Sequence, residues 1–376
     1  MIKRELLPII KDKLFKQKAI IIIGARQVGK TTLLQEILSS QEGVMWFNGD
    51  DLATRDLFNQ VSKEKLMTIF GSNKIIIIDE AQRIKDIGLK AKIITDQMKD
   101  IQLILTGSSS FELSNNINEP LTGRKWEYNL YPISFSEMVN DKDLFNEIKQ
   151  IEQRMIFGYY PEVVCNQNSA MELLKQLANS YLYKDILQWE RIKKPDMIVH
   201  LLQALAYQVG SQVSLNELSR LVGLDRQTVD NYISILEKAQ IIFRLSSFSR
   251  NLRTELRNSK KIYFFDNGIR NSLINNFAPL DSRTDTGALW ENFLISERII
   301  LNAYTQSYCN KYFWRTTQQQ EIDYLEEKDG VLSAYEFKWS ETKKAKPSRS
   351  FSNAYPNTIV KTITKDNFYE FLLAQR

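Results

Sequence analysis

The first third of the chain is punctuated by short apolar runs that stop abruptly at small or acidic residues. Ile20–Ile23 stops at Gly24, and Val44–Phe47 stops at Asn48-Gly49-Asp50-Asp51. Lys74–Glu80 (KIIIIDE) closes on two carboxylates, and Ile101–Thr106 (IQLILT) runs into Gly107-Ser108-Ser109-Ser110. Unbroken apolar runs of this length predict strands buried on both faces, as in a parallel sheet. Helical spacing lies between them: Leu33, Leu34, Ile37 and Leu38 share one face of 32–40, and a second helical stretch reaches about Phe70. Residues 1–17 read as an amphipathic helix pair, or as one helix broken at Pro8. Strand alternating with helix predicts an α/β core.

The rhythm changes near residue 135. Phe135–Phe157 and Ala170–Gln188 read as helices flanking a Gly158-Tyr159-Tyr160-Pro161 turn. Met197–Gly210 is a further helix, and 214–224 opens with Ser214 and Glu217, the spacing of a capping box. A Val222-Gly223-Leu224 turn leads to Asp225, which caps a helix over Arg226–Ala239, and Ile241–Phe248 reads as a strand. Helix, helix, glycine turn, helix, strand predicts a winged helix-turn-helix. Beyond it come a strand at Ile262–Phe265, a turn at Asp266-Asn267-Gly268 and a helix at Gly287–Leu301. A hairpin of Tyr312–Arg315 and Glu321–Tyr324 follows, then a strand at Val331–Lys338. The expected division is an α/β core at 1–134, a helical lid at 135–195, a winged helix at 196–261 and a C-terminal α/β domain at 262–376.

Candidate chemistry begins at the end of the first strand. Gly24, Gly29, Lys30 and Thr31 fit G-x-x-x-x-G-K-T in a strand–loop–helix setting, the P-loop pattern. Gly24, Ala25, Arg26, Gln27, Val28, Gly29, Lys30, Thr31 and Thr32 would cradle the phosphates of ATP with backbone N–H groups and the helix N-terminus. Lys30 would reach the β- and γ-phosphates, and Thr31 would ligate Mg²⁺. Asp79, at the end of a buried strand, would hold the same Mg²⁺ through water, and Glu80 would activate the attacking water. Buried acids of this kind are costly without a cation. Thr106 and Ser108 are candidate γ-phosphate sensors, with a plain Ser/Gly turn as the alternative. Arg124 is a candidate arginine finger, in cis or in trans, with Arg83 as its rival.

Two further sites are expected downstream. Arg226, Gln227, Thr228 and Asn231 lie near the start of the presumed recognition helix and suit base edges and phosphates. From Arg244 to Lys261 the cations Arg244, Arg250, Arg253, Arg257, Lys260 and Lys261 face a single acid, Glu255, so DNA is the natural partner. Winged helices also dock proteins, so a protein partner stays open. In the C-terminal segment, Glu336 and Lys338 are two apart on one strand and share a face, with Asp323 on the strand before. Asp323 followed by Glu336-x-Lys338 resembles the PD-(D/E)xK pattern, and that resemblance implies that Asp323 and Glu336 hold Mg²⁺ while Lys338 positions or activates water. Glu291 on the preceding helix adds an acid, and Lys343, Lys344, Lys346 and Arg349 add basic charge beyond. Structural surface charge is the alternative.

GARQVGKTT, IIIIDEAQR, LILTGSSS, LTGR, YPISFSEM, GYYPEVV and YFFDNGIRNSL, in that order, resemble the prokaryotic AAA-type P-loop ATPases that carry a C-terminal domain of unknown function. The resemblance implies an ATP-binding α/β core from the signalling and DNA-associated branch of these enzymes, and it leaves both a monomer and a homo-oligomeric ring open. Asp323 with Glu336-x-Lys338 resembles the PD-(D/E)xK nucleases and their restriction-endonuclease-like fold, although Ile322 stands where that motif has proline.

Composition narrows the setting. The chain has 376 residues, 43% hydrophobic and 25% charged, with a net charge of +5, ordinary for a globular protein. No apolar run approaches the ~18 residues of a membrane span. The N-terminus has Lys and Arg without an apolar stretch, so it does not read as a secretory signal. Cys165 and Cys309 have neither metal spacing nor a disulfide framework, and the lone His200 excludes a His-rich metal site. A cytoplasmic ATPase associated with DNA is the leading expectation. The alternative is an ATP-operated switch that binds a protein or DNA partner without cleaving it.

Overall fold

The computed structural model describes residues 2–39, 41–59, 62–107, 120–180, 195–249, 260–316, 318–340 and 349–374. The chain divides into two compact units, Met1–Pro132 with Lys238–Gln240, and Ile133–Glu237 with Ile241–Arg376.

The first unit is built on five parallel strands: β1 (Ala19–Gly24), β2 (Val44–Asn48), β3 (Ile75–Asp79), β4 (Gln102–Gly107) and β5 (Lys125–Leu130). Their order across the sheet is β2-β3-β4-β1-β5. The isoleucine runs of β1 and β3 are at most 1% exposed, as strands covered on both faces must be. Around them lie α1 (Leu6–Lys13), α2 (Lys30–Leu38), α3 (Leu52–Leu57), α4 (Lys63–Phe70) and α5 (Ile87–Gln97). Pro8 does not break α1, because it sits in the first turn, where no N–H is required. All strands run the same way, so the ends of β1, β3 and β4 open on one edge. That edge is where ligands meet α/β sheets. Gly24 closes β1 against β5, since a Cβ there would lie 2.5 Å from the Leu130 carbonyl oxygen.

The second unit holds a seven-stranded mixed sheet in the order β12-β11-β10-β9-β7-β8-β6. Its strands are β6 (Gln212–Val213), β7 (Ile242–Ser247), β8 (Lys260–Phe264), β9 (Asn310–Arg315), β10 (Glu321–Lys328), β11 (Val331–Phe337) and β12 (Ile359–Ile363). The pairing of β7 with β9, Ser246 to Tyr312 and Ser247 to Phe313, makes the sheet continuous. The expected boundary at 261/262 therefore falls inside β8, and no break in the sheet marks it.

Two local expectations change. Residues 135–157 form three short helices, Phe135–Asp141, Leu144–Lys149 and Ile151–Phe157, because Asp143 caps the second by accepting from the Asn146 N–H at 2.8 Å. Asp266-Asn267-Gly268 is the start of a helix, Asn267–Leu273, rather than a free turn. The Asp266 carboxylate accepts from Ile269 N at 2.9 Å and Tyr159 N at 2.7 Å. A Cβ on Gly158 would lie 2.2 Å from that carboxylate, and one on Gly268 would lie 2.2 Å from the Phe157 carbonyl oxygen. The GYYP and DNG segments are thus packed backbone to backbone around one buried acid.

Candidate functional site

The loop from Gly24 to Thr32 joins β1 to α2. Gly29 takes φ = 96°, a left-handed conformation that glycine adopts without strain, and forms the N-cap of α2. The first bond of the helix runs from Leu33 N to Gly29 O at 2.9 Å, so the amides before Leu33 are left for an anion. Lys30 is 7% exposed and donates to the carbonyl oxygens of Gly24 (2.7 Å) and Ala25 (3.0 Å), so it lies against the loop itself.

The ends of β3 and β4 and the first turn of α2 meet on one carboxylate. Thr31 Oγ1 donates to Asp79 Oδ2 at 3.3 Å, and the buried Thr106 hydroxyl donates to Asp79 Oδ1. Thr106, the candidate γ-phosphate sensor, is wholly buried, with its hydroxyl committed to Asp79. Its oxygen also accepts from Glu80 N at 3.3 Å. Glu80 has φ = 47°, unusual for a residue with a side chain, and its Oε2 accepts from Gln82 Nε2 at 2.6 Å. Gly49 N donates to Asp79 O at 2.8 Å, and a Cβ on Gly49 would lie 2.3 Å from the Glu80 carbonyl oxygen. The turn that carries both acids is held from three sides.

The other predicted residues of this unit are placed differently. Arg124 pairs with Asp96 at 2.5 Å and donates to Thr122 O at 3.2 Å, so its own unit holds it. Arg83 lies 3.5 Å from Asp50. Ser108 falls outside the described residues. Gln82 and Gly49 carry no motif of their own, which is why sequence reasoning passed over them.

A second polar cluster occupies the second unit. Asp323 Oδ2 accepts from Phe337 N at 2.7 Å, which sets it beside Glu336 on β11 and Lys338 just past its end. The β9–β10 register shifts between Ile322 and Leu325, an irregularity of the kind that re-aims side chains. Burial, then the charge of Glu291, pushes the Asp323 carboxyl up to about 7. Burial also raises Glu336, against the pull of Lys338, whose Nζ lies 4.0 Å away.

Lys261 departs from its expected role. It is 2% exposed, bonds Glu291 Oε1 at 2.9 Å and also pairs with Glu321. Burial works against its ammonium, but Glu291 and Glu321 outweigh it and hold Lys261 protonated. Tyr263 donates to the same Glu291 oxygen at 2.5 Å. Lys261 is therefore no phosphate contact but the internal counterion of the acids. Arg244 is likewise engaged, with Asp230 at 2.6 Å and Glu237 at 2.5 Å. Arg226, Gln227 and Asn231 are exposed; Gln227 bonds Asn231 at 3.3 Å, and Thr228 bonds the capping Asp225 at 2.6 Å. Lys260 is exposed, whereas Arg250, Arg253, Arg257, Lys343, Lys344 and Lys346 lie outside the described residues.

The P-loop residues fit Mg·ATP: Thr31 and Asp79 offer adjacent oxygens, and the first amides of α2 are left for an anion. Among the described residues no three His, Cys, Asp or Glu side chains cluster to hold a metal ion. In the second unit Asp323 and Glu336 could offer two acids, while Glu291 is already bonded to Lys261.

Residues 16–139 match the AAA domain family. That segment is therefore similar to AAA-type ATPase domains. Residues 148–280 and 286–370 match two domains of unknown function, DUF8612 and DUF4143. The uncharacterized protein MJ1544 of Methanocaldococcus jannaschii is 23% identical over 95% of this chain and 82% of its own length. The uncharacterized protein Rv2008c of Mycobacterium tuberculosis is 25% identical over 89% of this chain and 73% of its own. Among solved structures, the Walker-type ATPase PABY2304 of Pyrococcus abyssi is similar with a TM-score of 0.51 and 15% identity. That likeness covers 73% of this chain and 96% of the other, and it shows the fold alone. Among the described residues no helix is long and apolar enough to cross a membrane.

Proposed function

We propose that the chain is a Mg²⁺-dependent ATPase whose nucleotide cycle drives or gates DNA-associated work. The observation that carries this reading is the meeting of Thr31, Asp79, Thr106 and Glu80 at one sheet edge, beside Lys30 and the N-terminus of α2. In it Gly24–Thr32 bind the phosphates, and Lys30 leaves the Gly24 and Ala25 carbonyls to reach the β- and γ-phosphates. Bound Mg²⁺, held by Thr31 and through water by Asp79, would supply positive charge against the phosphate oxygens. Glu80 orients the attacking water and takes its proton on the carboxylate, with Gln82 fixing one oxygen of that group. Lys30→Ala is expected to lose ATP binding, read by titration with a fluorescent ATP analogue. Wild-type affinity in that variant would remove the loop from its role.

The DNA part of this reading rests on element order. Helices Pro195–Tyr207, Leu215–Val222 and Arg226–Lys238 with β7 and β8 follow the order of a winged helix, with Arg226, Gln227 and Asn231 exposed near the start of the third. Helix Thr286–Tyr304, β9, β10, β11, helix Arg349–Ala354 and β12 follow a nuclease-like order, with Asp323 on β10, Glu336 on β11 and Lys338 just past the end of β11. Two free thiols, Cys165 and Cys309, accord with a reducing cytoplasm. A second reading is favoured by Lys261. Its buried ammonium already neutralises Glu291 and Glu321, as in an ATP-operated switch whose C-terminal acids are structural. DNA cleavage with Mg²⁺ or Mn²⁺, lost in Asp323→Ala and Lys338→Ala, supports the nuclease. Absence of cleavage, together with duplex binding that falls steeply with salt, supports the switch on DNA.

A further inference from the structure

We infer that Arg4 is a positioning residue of the phosphate loop, one that sets the direction in which the Val28–Gly29 peptide presents its N–H. This rests on the ATP-binding reading above. Arg4 precedes α1 and is only 7% exposed. Its Nη1 donates to the Val28 carbonyl oxygen at 2.7 Å. Its Nη2 donates to the carbonyl oxygens of Tyr131 at 2.6 Å and Pro132 at 3.3 Å.

The geometry of the peptide unit turns these bonds into a constraint on the binding site. In a planar trans peptide the C=O of one residue and the N–H of the next point in opposite directions. Anchoring Val28 C=O on the guanidinium therefore turns the Gly29 N–H the other way, away from Arg4. Gly29 can follow because its φ of 96° carries no side-chain penalty. A loop that binds phosphate through N–H groups must point its carbonyls elsewhere, and Arg4 is where one of them goes.

The other acceptors fix the brace. Tyr131 and Pro132 directly follow β5, and β5 pairs with β1 along its full length. Arg4 thus ties the second half of the loop to the strand beside the one that feeds it. A guanidinium suits this task because its planar fork serves several acceptors at once; an ammonium has a shorter reach and no fork. The positive charge also sits behind the loop, where it favours an anion in front.

The test compares wild type with Arg4→Lys and Arg4→Ala. ATP affinity, KM and kcat are measured well below the unfolding temperature, and stability is measured by urea titration. Arg4→Ala is expected to raise Kd and KM for ATP by roughly ten-fold or more while kcat changes less, because the loop binds phosphate before the chemical step. Arg4→Lys, which keeps the charge without the fork, should fall between; if Arg4→Ala does not fold, Arg4→Lys decides. Lower stability with wild-type Kd and KM in the folded variants overturns the inference and leaves Arg4 merely structural. No ATP binding by wild type overturns the ATPase reading and this inference with it.

Discussion

Replacing Asp323 by Asn should stabilise the protein at pH 8. The carboxyl is pushed from an ordinary 3.8 up to about 7, first by burial and then by Glu291, against the Phe337 N–H, Lys261 and Lys338. An acid whose folded pKa lies above its unfolded value takes up a proton on folding. Its penalty is absent below about pH 4, grows as pH rises through the window from 4 to 7, and is full above it. At ~1.36 kcal/mol per pH unit that window sets a ceiling of about 4 kcal/mol, and partial access to water brings the expected gain nearer 2 kcal/mol. Asn keeps an oxygen for the Phe337 N–H, so no hydrogen bond need be lost. Urea titrations of wild type and Asp323→Asn at pH 8 and pH 5 read the difference. The gain at pH 5 should be less than half that at pH 8. A variant that is less stable at pH 8, or whose gain does not depend on pH, would refute the reasoning. A destabilising acid kept in a bulged strand beside Glu336 and Lys338 is what a functional site looks like physically, which is why this position matters.

Other outcomes follow from named contacts. Lys261→Met removes the counterion of Glu291 and Glu321 and should cost about 3 kcal/mol in urea unfolding. A variant as stable as wild type would argue against the ion cluster. Gly49→Ala forces a methyl against the Glu80 carbonyl oxygen, so turnover should fall roughly ten-fold with ATP affinity retained, checked by paired hydrolysis and binding assays. Arg124→Ala should leave turnover within about two-fold, because an exposed pair with Asp96 contributes little. A large fall that deepens as protein concentration rises would restore Arg124 as a finger acting in trans.

The parts legible in the sequence are those whose physics is local. β1, β3 and β4 could be read because strands covered on both faces leave unbroken apolar runs, and the partly buried edge strand β2 because its run VMWF stops at polar residues; Thr31, Asp79 and Glu80 could be read because contiguous motifs place them at a helix start and a strand end. β5 escaped notice: Lys125–Leu130 (KWEYNL) is an edge strand, half exposed, with no apolar run to betray it. Asp266 looked like a turn residue because its partner Tyr159 is 107 positions away. Lys261 looked like a phosphate contact for the same reason, since Glu291 and Glu321 reach it only through the folded sheet. Arg4 lies 24 residues before Val28 and 127 before Tyr131, and no sequence pattern joins them.

The measurement that tests the central claim most directly is phosphate release from ATP by wild type and Glu80→Gln, with Mg²⁺ and with chelator. ATP retention by the variant is followed in parallel. Release by wild type that requires Mg²⁺, and a Glu80→Gln protein that holds ATP without turning it over, are the predicted results. Hydrolysis by Glu80→Gln at the wild-type rate, or no hydrolysis by wild type, would contradict the account.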